Sequence, residues 1–123
     1  MKNNNKPLSP HLQIYKPQIT SILSICHRFS GVILFFTCFL FSFWLFFMAF
    51  NDQIYNLINI FFSKTIGKII LFFTTFSFSY HFLNGIRHLF WDFGYLYHIK
   101  NIYLSGLLVI LLSLIINIFI WFF

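Results

Sequence analysis

The chain has 123 residues, of which 59% are hydrophobic and only 8% are charged, and its net charge is +6. Such a composition leaves too little polar surface for a soluble globule, so the lipid bilayer is the expected solvent. The positive charge is accounted for by residues that flank membrane spans and by their attraction to anionic lipid, and therefore it indicates no nucleic-acid partner.

The first 18 residues form a polar segment that contains Pro7, Pro10 and Pro17. Because proline disfavours continuous helix, we expect an arm that lies on the inner membrane face or against a partner. The arm has neither the apolar core of a signal peptide nor the Arg-rich amphipathic pattern of an imported organelle protein. We therefore expect no removable leader, and synthesis in a bacterium or inside the organelle that uses the protein.

Three stretches without Asp, Glu, Lys or Arg follow the arm, at residues 29–51, 69–86 and 101–123. Each approaches the roughly 20 residues that cross a hydrocarbon core at about 1.5 Å per residue. The stretches are apolar on every face, whereas barrel strands alternate. The sequence predicts an all-α membrane protein with a single domain over residues 1–123. Its spanning helices are expected at about residues 22–50, 65–90 and 101–123.

Lysine and arginine are distributed unevenly between the two ends of these spans. Six fall on one side of the membrane, namely Lys2, Lys6, Lys16, Arg28, Arg87 and Lys100, and two fall on the other, Lys64 and Lys68. Because positive segments stay inside, we predict an inner N-terminus and an outer C-terminus. The outer connection carries Tyr55, Ile58 and Phe62 at a spacing that indicates a short interfacial helix.

Polar residues on the apolar helices concentrate in two segments. Residues 24–31 read SICHRFSG and lead into the first span, and residues 80–88 read YHFLNGIRH and end the second, with Trp91 and Asp92 just beyond. One helix face carries Ser24, His27, Arg28 and Gly31, and another carries His81, Asn84, Gly85 and His88. With the N-terminus inside, both faces lie at the inner end of the bundle and can meet there.

Ionisable groups at membrane depth are costly and usually mark a pathway, a ligand or a partner. Taken alone, Arg28 and Arg87 have a simpler explanation as positive-inside residues whose head groups reach the interface. Their convergence with Ser24, His27 and His88 weakens that explanation. Together these residues indicate a site for an anionic and partly apolar ligand, such as haem propionates or a reduced quinone.

His81 lies seven residues deeper than His88 along the second span, which is about 10 Å at helical rise. It is either a hydrogen-bonded structural histidine or a haem ligand, since imidazole commonly binds haem iron and Gly85 would let a flat macrocycle approach. His27 is expected near the level of His88, and only apolar residues such as Leu34 are expected at the depth of His81. A bis-histidine haem would therefore need its second ligand from another chain, in a hetero-oligomer or a symmetric dimer.

Three motifs carry a resemblance to a known family: KPLSPHLQIY at residues 6–15, SICHRFSG and HFLNGIRHLFWDFG. In this order, and with three helices, they resemble the cytochrome b556 large anchor subunits of succinate dehydrogenase, respiratory complex II. The resemblance covers nearly the whole chain. It implies a non-catalytic subunit that, with a second membrane anchor subunit, seats an iron–sulfur subunit and a flavoprotein subunit. Electrons from succinate oxidation would pass to ubiquinone in a mitochondrial or bacterial inner membrane.

The same resemblance assigns roles to individual residues. It implies that His81 is one axial ligand of haem b, shared with the second anchor subunit, and that His27, Arg28 and His88 lie near the haem propionates. It also implies that Ser24 and Arg28 bind ubiquinone, where a fixed positive charge and a hydroxyl would stabilise the reduced ring. The chain has no dinucleotide motif, so the flavin chemistry belongs to another subunit.

Three alternatives stay open at this point. An anchor subunit of a fumarate reductase would share the architecture and carry electrons in the opposite direction. A haem-free structural anchor would use the same helices only for attachment. A small channel or transporter is disfavoured, because it needs polar groups through the full depth of the bilayer, whereas the charges here stop near the inner face.

Overall fold

A computed structural model describes residues 16–123 of the chain. Its four helices, in order, are α1 (Ile19–Phe50), α2 (Asp52–Ser63), α3 (Thr65–Asp92) and α4 (Ile99–Phe122). Of these, α1, α3 and α4 are long and apolar enough to cross a membrane. The predicted all-α fold with three spanning helices is confirmed within this part of the chain. Most of the predicted N-terminal arm lies outside the described residues, and the inside position of the N-terminus stays a prediction.

A short helix follows the first span at the segment where the sequence indicated one. Asn51 separates α1 from α2 with an extended backbone, and its side chain accepts a hydrogen bond from the Ile54 amide at 3.1 Å. This is an N-cap, which satisfies one of the free amides at the start of α2. The indole of Trp44 donates to Asn59 Oδ1 at 3.1 Å, and the centroids of the Trp44 and Tyr55 rings lie 5.7 Å apart. These contacts pack α2 back along the end of α1.

Gly67 makes the corner between α2 and α3 possible. A Cβ atom at this position would overlap the backbone of Phe61 and Phe62. Only glycine therefore lets the first turn of α3 approach the last turn of α2 this closely.

The interior of the bundle is polar and its exterior is apolar. Among the described residues, the buried polar side chains are Ser30, Ser77, Ser79, Asn84, Arg87, Ser113 and Asn117, whereas the buried apolar ones are Leu23, Tyr80 and Val109. Lipid tails are as apolar as leucine, so burying leucine between helices brings little gain. Close packing and interhelical hydrogen bonds hold such a bundle together instead.

Two sets of hydrogen bonds join α3 to its neighbours. Towards α1, the Tyr80 hydroxyl donates to the Leu23 carbonyl oxygen at 2.9 Å. Towards α4, Thr75 Oγ1 lies 2.6 Å from Asn117 Oδ1 and accepts from the Trp121 indole at 3.0 Å. The central position of α3 is therefore fixed from both sides.

Arg87 adds a buried charge to the contact between α3 and α4, with only 3% of its surface exposed. Its Nε donates to Ser105 Oγ and its Nη2 to the Ile102 carbonyl oxygen, both at 3.0 Å. Its Nη1 lies 3.4 Å from Asn84 Oδ1, and the guanidinium carbon stands 4.2 Å from the centre of the Trp91 ring. The planar guanidinium thus ties the start of α4 to α3 with donors at fixed angles.

Replacing Arg87 by lysine is expected to loosen this tie while keeping the buried charge. A lysine ammonium cannot reach Ser105 Oγ and the Ile102 carbonyl with the geometry of the guanidinium fork, and interhelical hydrogen bonds in lipid contribute about 1 kcal/mol each. We expect the thermal unfolding temperature of the purified complex to fall for Arg87→Lys. The matched control is Lys100→Arg, an exposed cation at the start of α4. Equal unfolding temperatures for both variants would contradict the assignment.

Candidate functional site

Two helix faces that the sequence singled out meet where α1 crosses α3. The His27 ring of α1 stacks on the His81 ring of α3, with centroids 4.0 Å apart and planes 9° from parallel. The His88 ring lies 5.5 Å from His27 and is tilted by 43°. These three residues, His27, His81 and His88, form a single group that we call the histidine cluster.

The depth of His27 differs from the prediction. Its ring lies between those of His81 and His88 and is closer to His81, although it was expected at the level of His88. On α1, the residues beside His81 are Ser30 and Gly31, where only apolar side chains were expected. The two helices are therefore offset by about one turn relative to the expected register. Sequence periodicity places a residue on a face, and it does not fix how far one helix slides along another.

Hydrogen bonds hold the His81 ring by its Nδ1 atom. This nitrogen lies 3.2 Å from the His27 carbonyl oxygen and 3.1 Å from Ser30 Oγ. A carbonyl oxygen only accepts hydrogen bonds, so the contact with it assigns the ring proton to Nδ1. Nε2 then carries a free lone pair, and no side chain within residues 16–123 bonds to it. This is the tautomer that a metal-binding imidazole needs.

Glycine provides the space that the His81 ring occupies. A Cβ atom on Gly31 would lie 3.1 Å from His81 Cε1, whereas one on Gly85 would lie at an ordinary 3.9 Å from His27 Cε1. A side chain at Gly31 would therefore push the His81 ring by a few tenths of an ångström. The expected role of Gly85, close approach of a macrocycle, stays a prediction.

The next polar side chains on the α1 face are accessible. Ser24 is half-buried and Arg28 is exposed, and neither has a hydrogen-bond partner in the described chain. Within residues 16–123, their donors are therefore available for a ligand. The expectation that Arg87 joins them is wrong, because its guanidinium turns towards Ser105 and the backbone of α4.

One atom of the histidine cluster is left without a partner. Nδ1 of His27 is buried and bonds to nothing among residues 16–123. An unsatisfied buried polar atom costs about 1–3 kcal/mol, so such an atom at a site is a reason to expect a polar ligand group there.

Ser30 is the contact residue of this site that the sequence did not single out. Its signal was its position three residues after His27, which places it on an adjoining part of the same face. It is 5% exposed, and its hydroxyl bonds to the His27 carbonyl oxygen at 2.8 Å. A serine inside an apolar helix usually bonds to its own backbone, so its contact with a second helix was not apparent.

Comparison with known proteins places the chain in a family. The family model described as the succinate dehydrogenase/fumarate reductase transmembrane subunit matches residues 2–120. The succinate dehydrogenase cytochrome b556 subunit of Rickettsia bellii is 45% identical over 118 residues, covering 96% of this chain and 92% of the relative. The corresponding subunit of Rickettsia prowazekii is 43% identical with the same coverage.

A third relative comes from a eukaryote. The succinate dehydrogenase cytochrome b560 subunit of Reclinomonas americana is 40% identical over 126 residues, covering 97% of this chain and 86% of the relative. The matches extend over the three spanning helices and both segments that meet at the histidine cluster. The chain is a multi-pass inner-membrane protein and belongs to the succinate dehydrogenase/fumarate reductase transmembrane subunit family.

Proposed function

We propose that this chain is the cytochrome b membrane anchor of succinate dehydrogenase, which binds haem b with a partner subunit and helps to form the ubiquinone-reduction site. The observation that carries the proposal is the His81 ring, held by Nδ1 at the crossing of α1 and α3 with Nε2 free. The three relatives described above are named as succinate dehydrogenase subunits, which supports electron flow from succinate to quinone over the opposite direction of a fumarate reductase.

The residues at the site fit a haem. Neutral imidazole is a usual axial ligand of haem iron, and His81 is held in the tautomer that leaves its Nε2 lone pair available. His27, Arg28 and His88 are the residues that would face the propionates, where the free Nδ1 of His27 and the exposed guanidinium of Arg28 offer polar partners. When bound, haem b supplies one-electron redox chemistry, and the protein supplies its ligation and surroundings.

The second axial ligand is expected from another chain. His27 lies close to His81 and is a candidate for the second ligand, but its ring is stacked parallel to that of His81 with centroids 4.0 Å apart. Two rings in face-to-face contact leave no room for an iron atom between their nitrogens. The second ligand would therefore come from another chain, and the family resemblance indicates a second membrane anchor subunit whose own histidine would complete the coordination.

Ser24 and Arg28 are the proposed quinone-binding residues. They lie one turn or less from the histidine cluster along α1, are at least partly exposed, and have donors that no residue within 16–123 occupies. The Arg28 guanidinium would stabilise negative charge on a quinone oxygen as it is reduced, and the Ser24 hydroxyl would donate to a carbonyl oxygen. The chain binds and orients the quinone, while the iron–sulfur and flavoprotein subunits supply the electrons from succinate.

Replacing His81 by alanine is expected to remove the b-type haem signal, because alanine has no lone pair for iron. The reduced-minus-oxidised spectrum of the purified complex measures this loss. His88→Ala is the matched control, and it should lose less because its ring is not held as an iron ligand. An unchanged low-spin haem spectrum in His81→Ala would show that another residue binds the iron.

Expressed without the other subunits, the chain is expected to bind haem at far less than one per polypeptide, since it presents a single ligand in the required orientation. Haem content per chain after purification in detergent measures this. A stable bis-histidine haem in the isolated chain would contradict the prediction. Repeating the measurement with His27→Ala would then show whether His27 rotates to become the second ligand.

Replacing Arg28 by leucine should lower quinone-linked succinate oxidation much more than dye-linked oxidation. Loss of about 3 kcal/mol of charge stabilisation corresponds to roughly a hundredfold decrease in rate. Ser24→Ala removes one hydrogen bond, so we expect about a tenfold decrease or less. Lys100→Leu, which removes an exposed cation from α4, is the matched control. A parallel fall of both activities in an assembled complex would show that Arg28 supports structure.

A further inference from the structure

We propose that Ser30 is a positioning residue for His81, and that its hydroxyl, together with the His27 carbonyl oxygen, holds the imidazole in the Nδ1-protonated tautomer and tunes its bond to haem iron. This inference rests on the proposed haem function of His81. It assigns a role to a residue of α1 that does not itself touch the iron.

The contact is partly buried and joins a buried serine to the His81 ring. Ser30 is 5% exposed at the crossing of α1 and α3. Its Oγ lies 2.8 Å from the His27 carbonyl oxygen and 3.1 Å from His81 Nδ1, and the same nitrogen lies 3.2 Å from that carbonyl oxygen. Three polar atoms thus meet within hydrogen-bond distance of one another at the crossing of the two helices.

Only one assignment of protons satisfies all three contacts. If the Ser30 hydroxyl donated to a bare Nδ1, the lone pair of that nitrogen would face the lone pairs of the His27 carbonyl oxygen, which is repulsive in a medium of low dielectric. With the proton on Nδ1, the ring donates towards the carbonyl oxygen and the serine oxygen, and the serine hydroxyl donates to the carbonyl. The hydroxyl therefore adds an acceptor for Nδ1–H and anchors the carbonyl group.

A second serine on the same helix shows what is special about Ser30. Ser42 also bonds to its own backbone, at 2.8 Å from the Cys38 carbonyl oxygen, but it is exposed. Ser30 differs because the nitrogen of another helix completes its hydrogen bonding. The neighbouring Gly31 leaves the gap that the ring fills, so consecutive residues of α1 define the position of one imidazole.

Hydrogen bonding at Nδ1 makes the opposite nitrogen a stronger donor to iron. A stronger donor favours ferric over ferrous haem, and loss of such an outer partner typically costs about 10–100-fold in metal affinity. Without the hydroxyl, Nδ1–H keeps a single acceptor at 3.2 Å. The haem should then be bound more weakly and become easier to reduce.

The test compares Ser30→Ala, Ser30→Thr and Ser42→Ala in the purified complex. The readouts are haem per complex, the haem midpoint potential and the electron paramagnetic resonance spectrum of the ferric haem. For Ser30→Ala we expect about a tenfold weaker haem affinity and a more positive midpoint potential. A tenfold change in the ratio of ferric to ferrous binding equals about 59 mV for one electron. Ser30→Thr, which keeps the hydroxyl, should return both values towards wild type, and Ser42→Ala should change neither.

Full haem content with a wild-type midpoint potential and spectrum in Ser30→Ala would overturn the inference. Equal shifts of the midpoint potential in Ser30→Ala and Ser30→Thr would also overturn it, because they would indicate an effect of packing alone. If Ser30→Ala yields no complex, Ser30→Cys fills the position with a slightly larger side chain that is only a weak donor and acceptor, and it carries the same expectation. The His81→Ala variant separates failure of this inference from failure of the proposed function. If His81 is not a haem ligand, His81→Ala keeps the haem spectrum, and the result for Ser30→Ala does not bear on that outcome.

Discussion

The hydrogen bond from the Tyr80 hydroxyl to the Leu23 carbonyl oxygen fixes how far α1 slides along α3, and the candidate site depends on that register. Both residues are buried, and the bond measures 2.9 Å. About one and two turns further along α1, the same crossing brings the His27 carbonyl and the Ser30 side chain to His81. Because lipid-facing leucine and phenylalanine can slide past one another at little cost, polar contacts of this kind determine the register of a membrane bundle.

One face of α3 carries the histidines of the candidate ligand site, and another face packs against α4. His81 and His88 point to α1 and are partly exposed, whereas Arg87, the residue next to His88, points to α4. Adjacent helical residues are separated by about 100° of rotation, so neighbours in sequence serve different sides. Exposure of these two histidines to lipid would be energetically costly. That cost is a physical reason to expect another subunit over the histidine cluster.

The sequence alone predicted the elements of the fold and the members of the site better than their mutual arrangement. The three spans follow from runs without charges that match the thickness of a bilayer, and His81 followed from the cost of an imidazole in an apolar helix. The offset between α1 and α3 and the direction of Arg87 did not follow. Both depend on contacts between helices whose periodicities leave sliding and small rotations undetermined. Residues 1–15, which include the first motif of the family, lie outside the described structure.

The contact between His81 Nδ1 and the His27 carbonyl oxygen could not be predicted from the sequence, because one of its two atoms belongs to the backbone. The proton on His81 is assigned by the carbonyl oxygen of His27, an atom that every residue possesses, and residue identity therefore gives no signal for it. The side chain of His27 could change while its carbonyl continued to accept from Nδ1. Loss of the His27 ring and loss of the Ser30 hydroxyl should consequently affect different properties of one site. The ring bears on the polar surroundings of the ligand, and the hydroxyl bears on the electronic character of the bond that His81 makes.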